Sequence, residues 1–139
     1  MDDYTIKIEV SSTPEEVFTA LTEQLSLWWG EVDKSVNKIG DEFTITFGQA
    51  TWTFKVITYE PGSKLTWECI GGNPDFNAEW IGDVLEWKIT QQENGCKVSL
   101  KQTGLTPDKN CYDICAATWD KFIPISLKTF LEKCKAEGF

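Results

Sequence analysis

Alternation of apolar and polar residues, repeated along most of the chain, is the feature that most limits its fold. Such a period of two is typical of strands with one buried face and one face in water. The alternating stretches cover residues 4–10, 41–47, 51–59, 64–70, 83–90 and 96–103. Turn-forming residues separate several of them, including an Asn-Gly pair at 94–95. The sequence therefore predicts an antiparallel sheet of six to seven strands with large apolar groups on one face.

Two helical patterns accompany these strands. Residues 13–25 carry an apolar stripe at helical spacing, and a short extra turn follows it. Ser12 or Thr13 can cap this first helix. From Asn110 onward the apolar residues again recur at three and four. We expect Pro124 to kink or loosen this C-terminal helix, because proline lacks the backbone donor that a helix uses.

The C-terminal helix supplies the apolar face that the sheet needs as a cover. We therefore predict an α+β fold in which a curved antiparallel sheet of six to seven strands wraps around a long C-terminal helix. One or two short helices should follow the first strand. No linker or repeat divides the chain, so residues 1–139 are expected to form one domain. Residues 71–82 are predicted to form a loop, and a short edge strand at 76–81 is the open alternative.

Net charge excludes several classes of partner. The formal net charge is −9, all thirteen basic residues are lysine, and the chain has no histidine. An acidic surface repels phosphate groups, so we expect no nucleic-acid partner. The longest apolar runs are far too short to span a bilayer, so we expect no membrane insertion. The N-terminus lacks the basic and apolar regions of a signal peptide, and the five cysteines are an odd number. These features favour a cytoplasmic protein with reduced thiols.

Candidate catalytic and metal-binding residues are hard to assemble from this composition. Without histidine and arginine there is no histidine-based triad, no imidazole ligand and no bidentate guanidinium. Cys111 and Cys115 are four residues apart, but a zinc site would need two further ligands. Glu68 and Glu86 alternate with inward residues and should point into water. We therefore predict no catalytic residue, no metal and no cofactor.

The order of the elements and three local motifs resemble the START-like superfamily, also called SRPBCC or the birch-pollen-allergen-like fold. The motifs are TPEEVFTALTEQLSLWWG (13–30), FKVITYEPGSKLTWEC (54–69) and WDKFIPISLKTFLE (119–132). Within the superfamily they look most like the subfamily named after the activator of heat shock protein 90 ATPase. The resemblance implies a helix-grip fold with a cavity between sheet and helix, which in other members holds lipids, sterols, polyketides or other apolar molecules. It implies no single reaction, because some members are enzymes and others only bind.

Inward-facing aromatic residues are the candidate lining of that cavity. The candidate ligand-binding residues are Trp28, Phe47, Trp52, Trp67, Phe76, Trp80, Trp87, Trp119 and Ile123. For each tryptophan alone, an ordinary core position is the competing interpretation. Adjacent rings on an ideal helix point about 100° apart, so Trp28 and Trp29 pose a packing problem. We expect one ring to anchor the turn and the other to face the cavity rim or solvent; both rings sealing the core is the alternative.

Three functions remain open at this point. The preferred one is a non-enzymatic module, monomeric or weakly dimeric, that binds a small apolar ligand of lipid-like or aromatic character. The alternative is an interaction module for a chaperone or another protein, as the resemblance allows. Its surface would be the acidic, lysine-dotted outer sheet and the first helix. The third is a cyclase- or aromatase-like enzyme, which would need polar groups such as Gln102, Tyr112 or a cysteine thiol inside the cavity.

Overall fold

A computed structural model of the chain describes residues 3–73, 79–109 and 112–136. Within these residues the strands are β1 Tyr4–Val10, β2 Glu31–Val32, β3 Glu42–Phe47, β4 Ala50–Glu60, β5 Lys64–Asn73, β6 Val84–Gln92 and β7 Gly95–Thr103. The helices are α1 Pro14–Thr22, α2 Leu25–Trp28, α3 Tyr112–Lys121 and α4 Lys128–Ala136, and a π-helical segment, Phe122–Leu127, joins the last two.

All strands belong to one antiparallel sheet with the order β1-β7-β6-β5-β4-β3-β2. The C-terminal helix lies across its apolar face, and two short helices follow β1, so the predicted α+β helix-grip fold is confirmed. Register shifts in β4, between Thr53 and Phe54 and between Val56 and Thr58, interrupt its pairing with β5. Such bulges bend a strand and increase its twist, which helps the sheet to curve around the helix.

The alternative prediction of an edge strand at 76–81 is wrong for residues 79–81, the part of this range that the structure describes. Residues 79–82 form a turn, held by a hydrogen bond of 2.8 Å from Asp83 N to Trp80 O. Residues 76–78, including Phe76, lie outside the described residues. The turn places Trp80, which is only 3% exposed, directly before β6.

Helix α1 begins with a complete capping box. Thr13 Oγ1 accepts a hydrogen bond from Glu16 N (3.1 Å), and Glu16 Oε1 accepts one from Thr13 N (2.9 Å). Pro14 occupies the first helical position, where its missing donor is harmless. Of the two predicted caps, the structure selects Thr13, because Ser12 is buried and donates instead to Leu131 O. This contact ties the start of α1 to α4.

Pro124 loosens the C-terminal helix as expected, and the loosening takes the form of the π-helical segment. A proline in an α-helix removes one hydrogen bond and collides with the carbonyl four residues earlier, and a wider turn accommodates both defects. Ile123 and Leu127 nevertheless remain in the core, with exposures of 1% and 0%. The segment therefore keeps the helix packed on the sheet while its hydrogen-bond pattern changes.

No helix among the described residues is long and apolar enough to cross a membrane.

Candidate functional site

The two adjacent tryptophans of α2 are both buried, with exposures of 4% for Trp28 and 6% for Trp29. Trp28 anchors the turn, because its Nε1 donates to Ala20 O of α1 at 2.8 Å. Trp29 is the C-cap residue, with φ −109° and ψ −75°, so the ring separation of an ideal helix does not apply to it. The rings lie 6.0 Å apart at 17°, and Trp29 is directed toward the centre of the molecule rather than toward solvent.

A cavity of about 220 Å³ lies between the sheet and the C-terminal helix. Its walls come from the end of α2, from β3 and β4, from the turn before β6, from α3 and from the π-helical segment. The lining residues are Trp29, Phe47, Ala50, Trp52, Trp80, Ile114, Cys115, Thr118, Trp119 and Phe122. Ile114 and Thr118 are also exposed, so the cavity reaches the surface beside α3.

The structure brings four of the nine candidate residues together at this cavity: Phe47, Trp52, Trp80 and Trp119. Four others, Trp28, Trp67, Trp87 and Ile123, lie in the surrounding core and are not part of the lining. The ninth, Phe76, lies outside the described residues.

Several lining residues were not among the candidates. Ile114, Thr118 and Phe122 follow one another at intervals of four, and Cys115 and Trp119 form a second such row. Helical spacing therefore indicated this wall, but the polar side chain of Thr118 interrupts the first row. Of the two rows, only Trp119 was among the candidates. Trp29 was missed because nothing in a helical pattern tells which of two adjacent rings turns inward at a helix end.

Four indole rings form a connected group around the cavity. Trp52 stacks on Trp80 with ring centroids 4.6 Å apart at 30°. Trp80 and Trp119 lie 6.0 Å apart and nearly parallel, at 22°. Trp119 in turn lies 5.1 Å from Trp29. The cavity is therefore bordered mainly by flat, polarizable ring faces.

Two polar side chains of the lining, those of Trp80 and Thr118, form hydrogen bonds within the protein. Trp80 Nε1 donates to Cys115 Sγ at 3.3 Å, and Thr118 Oγ1 donates to Ile114 O at 2.7 Å. Trp52 Nε1 has no hydrogen-bond partner among the described residues, but this atom is covered by protein. A molecule in the cavity thus meets no charged side chain among the lining residues.

A buried polar pair lies behind the wall that Trp119 forms. Gln102 is 0% exposed, and Asp83 is 5% exposed. Gln102 Nε2 donates to Asp83 Oδ2 at 2.9 Å, and Trp119 Nε1 donates to Gln102 Oε1 at 2.9 Å. Burial raises the pKa of the Asp83 carboxyl, and the hydrogen bond from Gln102 opposes part of this rise. The sequence indicated Gln102 as an inward polar residue, but Asp83 was missed because it directly follows a turn.

The described cysteines are buried and unpaired by disulfides: Cys69, Cys96 and Cys115. Burial raises the pKa of Cys69 to about 12, so this thiol stays protonated. Across the described ranges, histidine, cysteine, aspartate and glutamate side chains form no group of three or more that would hold a metal ion. Cys111 and the side chain of Cys134 fall outside the described part.

Comparison with known proteins identifies relatives of this fold. The family model described as Activator of Hsp90 ATPase homolog 1-like protein matches residues 11–132. No curated protein matches the sequence.

Solved structures with the same fold come from several bacteria. The Aha1 dimer from Colwellia psychrerythraea is 24% identical, with a TM-score of 0.81 over 95% of this chain and 97% of that one. A Mesorhizobium loti protein is 21% identical, with a TM-score of 0.77 over 94% and 98%. CalU16 from Micromonospora echinospora is 18% identical, with a TM-score of 0.67 over 91% and 71%. At these identities the likeness establishes the fold alone.

Proposed function

We propose, from the premise that the chain belongs to the activator of Hsp90 ATPase homolog 1-like protein family, that it is a non-enzymatic module that binds one small apolar molecule. The observation that carries the proposal is the cavity of about 220 Å³ between the sheet and the C-terminal helix. A site walled by aromatic rings gains its binding free energy from the burial of apolar ligand surface.

The volume of the cavity limits the size of the ligand. A protein cavity of about 150 Å³ holds benzene, and pockets for drug-sized ligands start at about 300 Å³. At about 220 Å³ this cavity lies between the two. The volume therefore favours a molecule of one or two fused rings over a sterol or a long acyl chain.

The walls limit the chemistry of the ligand. The lining contains no lysine, aspartate or glutamate, so a carboxylate or an ammonium group inside the cavity would lose its hydration without gaining an opposite charge. The nearly parallel faces of Trp80 and Trp119 favour a flat ring system. The ligand class we propose is an uncharged, flat aromatic of one or two rings.

Naphthalene is a suitable probe, and the indole N–H signals in ¹H–¹⁵N NMR spectra are the readout. We expect naphthalene to shift the signals of Trp29, Trp80 and Trp119, and to leave that of Trp28 nearly unchanged. Decanoate should produce no comparable shift at equal concentration, because its carboxylate finds no cation. The proposal is wrong if saturating naphthalene moves none of the three cavity signals.

A matched pair of variants tests the location of the site. Ala50→Phe adds a ring to the cavity wall, whereas Ala117→Phe adds the same ring to an exposed position of α3. Ala50→Phe should abolish the naphthalene-induced shifts, and Ala117→Phe should retain them. Equal binding by both variants would place the ligand elsewhere on the protein.

A second candidate function, interaction with an acidic protein surface, is favoured by the outward face of the sheet. Register aligns Lys7 with Ser99, Ser99 with Lys88, and Lys88 with Lys64. We call Lys7, Lys88 and Lys64 the lysine row. Strands lie about 4.8 Å apart, so the row spans four strands at right angles to their direction. Glu86 bridges Lys64 and Lys88 at 3.5 and 3.3 Å.

The lysine row belongs to a basic part of an otherwise acidic protein. The outward charged residues of β1, β5, β6 and β7 are Lys7, Glu9, Lys64, Glu68, Glu86, Lys88, Lys97 and Lys101, five lysines and three glutamates. The whole chain has a net charge of −9, so this part of the outer sheet differs in sign from the molecule as a whole. The prediction that the outer face of the sheet is acidic is therefore wrong for these strands. Opposite charge on a partner would steer association toward this face.

The rate of ATP hydrolysis by an Hsp90 chaperone tests this second candidate. We expect the wild-type chain to stimulate hydrolysis, and Lys7→Glu/Lys88→Glu to stimulate it less. Lys34→Glu/Lys38→Glu introduces the same charge change at exposed positions away from the sheet and is the matched control. Added salt should weaken the stimulation, because salt screens exposed charges. Absence of stimulation by the wild type, or equal loss in both variants, would contradict the candidate.

An enzyme of the cyclase or aromatase kind is a weaker candidate. Such chemistry requires acid–base groups at the cavity surface, and neither Gln102 nor Tyr112 is part of the lining. Cys115 does line it, and its sulfur already accepts the hydrogen bond from Trp80.

A further inference from the structure

The buried polar pair behind the cavity wall, Asp83 and Gln102, connects two of the tryptophans that border the cavity. Asp83 N donates to Trp80 O at 2.8 Å, and Asp83 O accepts from Cys69 N at 2.9 Å. The backbone of Asp83 thus joins the turn of Trp80 to β5. Through its carboxylate and Gln102, the same residue reaches Trp119 on α3. Asp83 therefore contacts the backbone of Trp80 directly and the ring of Trp119 through Gln102.

Hydrogen-bonding chemistry leaves Gln102 a single orientation. An ionised carboxylate only accepts, and an indole N–H only donates. The amide between them must present its NH₂ group to Asp83 and its oxygen to Trp119 Nε1. If the amide turned over, an NH₂ group would face the indole N–H and an oxygen would face the carboxylate. The position of the Trp119 ring is thereby coupled to the acceptor at position 83.

Burial and close packing make this arrangement rigid. A Cβ at Gly104 would collide with Asp83 Oδ1, and Gly104 has a φ of +110°. A well-packed apolar residue at position 83 would avoid the cost of desolvating a carboxylate. What Asp83 provides that an apolar residue would not is therefore an oriented hydrogen bond to Gln102.

We propose that Asp83 and Gln102 are positioning residues, which hold the Trp119 ring and the turn that carries Trp80 so that the two indoles stack, 6.0 Å apart at 22°, as one flat wall of the cavity. This inference rests on the proposed binding function. Neither side chain touches the cavity; both act through the two indoles. The flat surface that the stacked pair presents to the cavity, and with it the preference for flat over bulkier apolar molecules, depends on the donor–acceptor order along Asp83, Gln102 and Trp119.

Gln102→Glu tests the donor–acceptor order, because the replacement is nearly isosteric. The introduced carboxyl group has no donor for Asp83 unless the two carboxyl groups share a proton. At low pH the shared proton keeps the order; at high pH both groups ionise and repel each other. We expect naphthalene affinity to fall about tenfold as pH rises from 5 to 8, as for loss of one buried charge-assisted hydrogen bond. The Trp119 Nε1–H signal should move over the same pH range.

Asp83→Asn/Gln102→Glu is the matched rescue. The amide introduced at position 83 donates to the new carboxylate, whose other oxygen accepts from Trp119, so the order is restored with donor and acceptor exchanged. The double variant should bind naphthalene like the wild type at every pH. Other charged groups near position 83 are Asp3, before β1, and Lys109, before α3, and both are common to all variants, as is the thiol of Cys69.

The outcomes separate the inference from the proposed function. Failure of the wild type to bind naphthalene would reject the binding function. The Trp119 Nε1–H signal of the ligand-free variants tests the positioning role separately, because it needs no ligand. A pH-independent Trp119 signal in Gln102→Glu, with wild-type affinity at pH 8, would overturn the inference. If Gln102→Glu does not fold at high pH, the double variant Asp83→Asn/Gln102→Glu is the test. A Trp119 Nε1–H signal shifted from that of the wild type, or loss of naphthalene binding by this double variant, would also overturn the inference.

Discussion

Removal of the Trp119 ring is the perturbation whose cost the structure defines best. The side chain is 1% exposed and lies between Trp29, Trp80 and Trp87, with ring centroids 5.1, 6.0 and 6.1 Å away. Its Nε1 also satisfies Gln102 Oε1 at 2.9 Å. Trp119→Ala therefore removes a large packed ring and leaves a buried acceptor unpaired.

The expected cost follows from these two losses. Truncation of a buried large aromatic to alanine costs about 3–5 kcal/mol. An unpaired buried acceptor adds about 1–3 kcal/mol. One face of the ring borders the cavity and already lacks packing partners, which lowers the first contribution. We expect Trp119→Ala to reduce the free energy of unfolding by about 4 kcal/mol, with an enlarged cavity.

Conservative replacements separate the hydrogen bond from the packing. Trp119→Phe keeps most of the ring and removes the donor, whereas Trp52→Phe makes the same change where the donor has no partner among the described residues. Trp119→Phe should cost about 1–3 kcal/mol more than Trp52→Phe. Urea titrations followed by far-UV circular dichroism measure all three variants. Equal costs for the two phenylalanine variants, or a cost below about 2 kcal/mol for Trp119→Ala, would refute this reasoning.

Two further predictions concern the polar pair. Burial raises the pKa of Asp83, so the folded state favours the protonated acid, and the wild type loses stability as pH rises through that raised pKa. Asp83→Asn keeps an acceptor for Gln102 without a charge, so its stability relative to the wild type should rise from pH 3 to pH 8 in urea titrations; a constant difference would contradict this. Gly104→Ala, at φ +110° and against Asp83 Oδ1, should cost well over the about 1 kcal/mol expected for Gly40→Ala, at φ +95° in open space. Similar shifts in thermal midpoint for the two glycine variants would show that the collision is relieved.

The fold could be predicted from the sequence because its local patterns agree with one another. Period-two alternation indicated both the strands and their inward faces, and Phe43, Trp67 and Leu85 are buried as that pattern requires. The Thr13 cap and the disturbance at Pro124 were also visible, since both arise from interactions within a few residues. Along the chain such effects are local and depend little on the rest of the molecule.

Membership of the cavity wall depends instead on how the sheet curves. Trp67 and Trp52 both point inward, yet only Trp52 borders the cavity, because an alternating pattern gives the face of a residue and not its position under the helix. Trp29, and not the candidate Trp28, lines the cavity for a similar reason, since the backbone leaves ideal helical angles at Trp29.

The sequence by itself determined the strand and helix pattern, the first helix cap, the lack of histidine and arginine chemistry, and the inward position of Gln102. Only the tertiary structure decided that Asp83 is buried, that its carboxylate accepts a hydrogen bond from Gln102, and that the ring of Trp29 lies beside that of Trp119. Alternation and capping arise between neighbours in the chain, whereas burial of a carboxylate after a turn depends on strands and a helix that meet only when the sheet closes around α3.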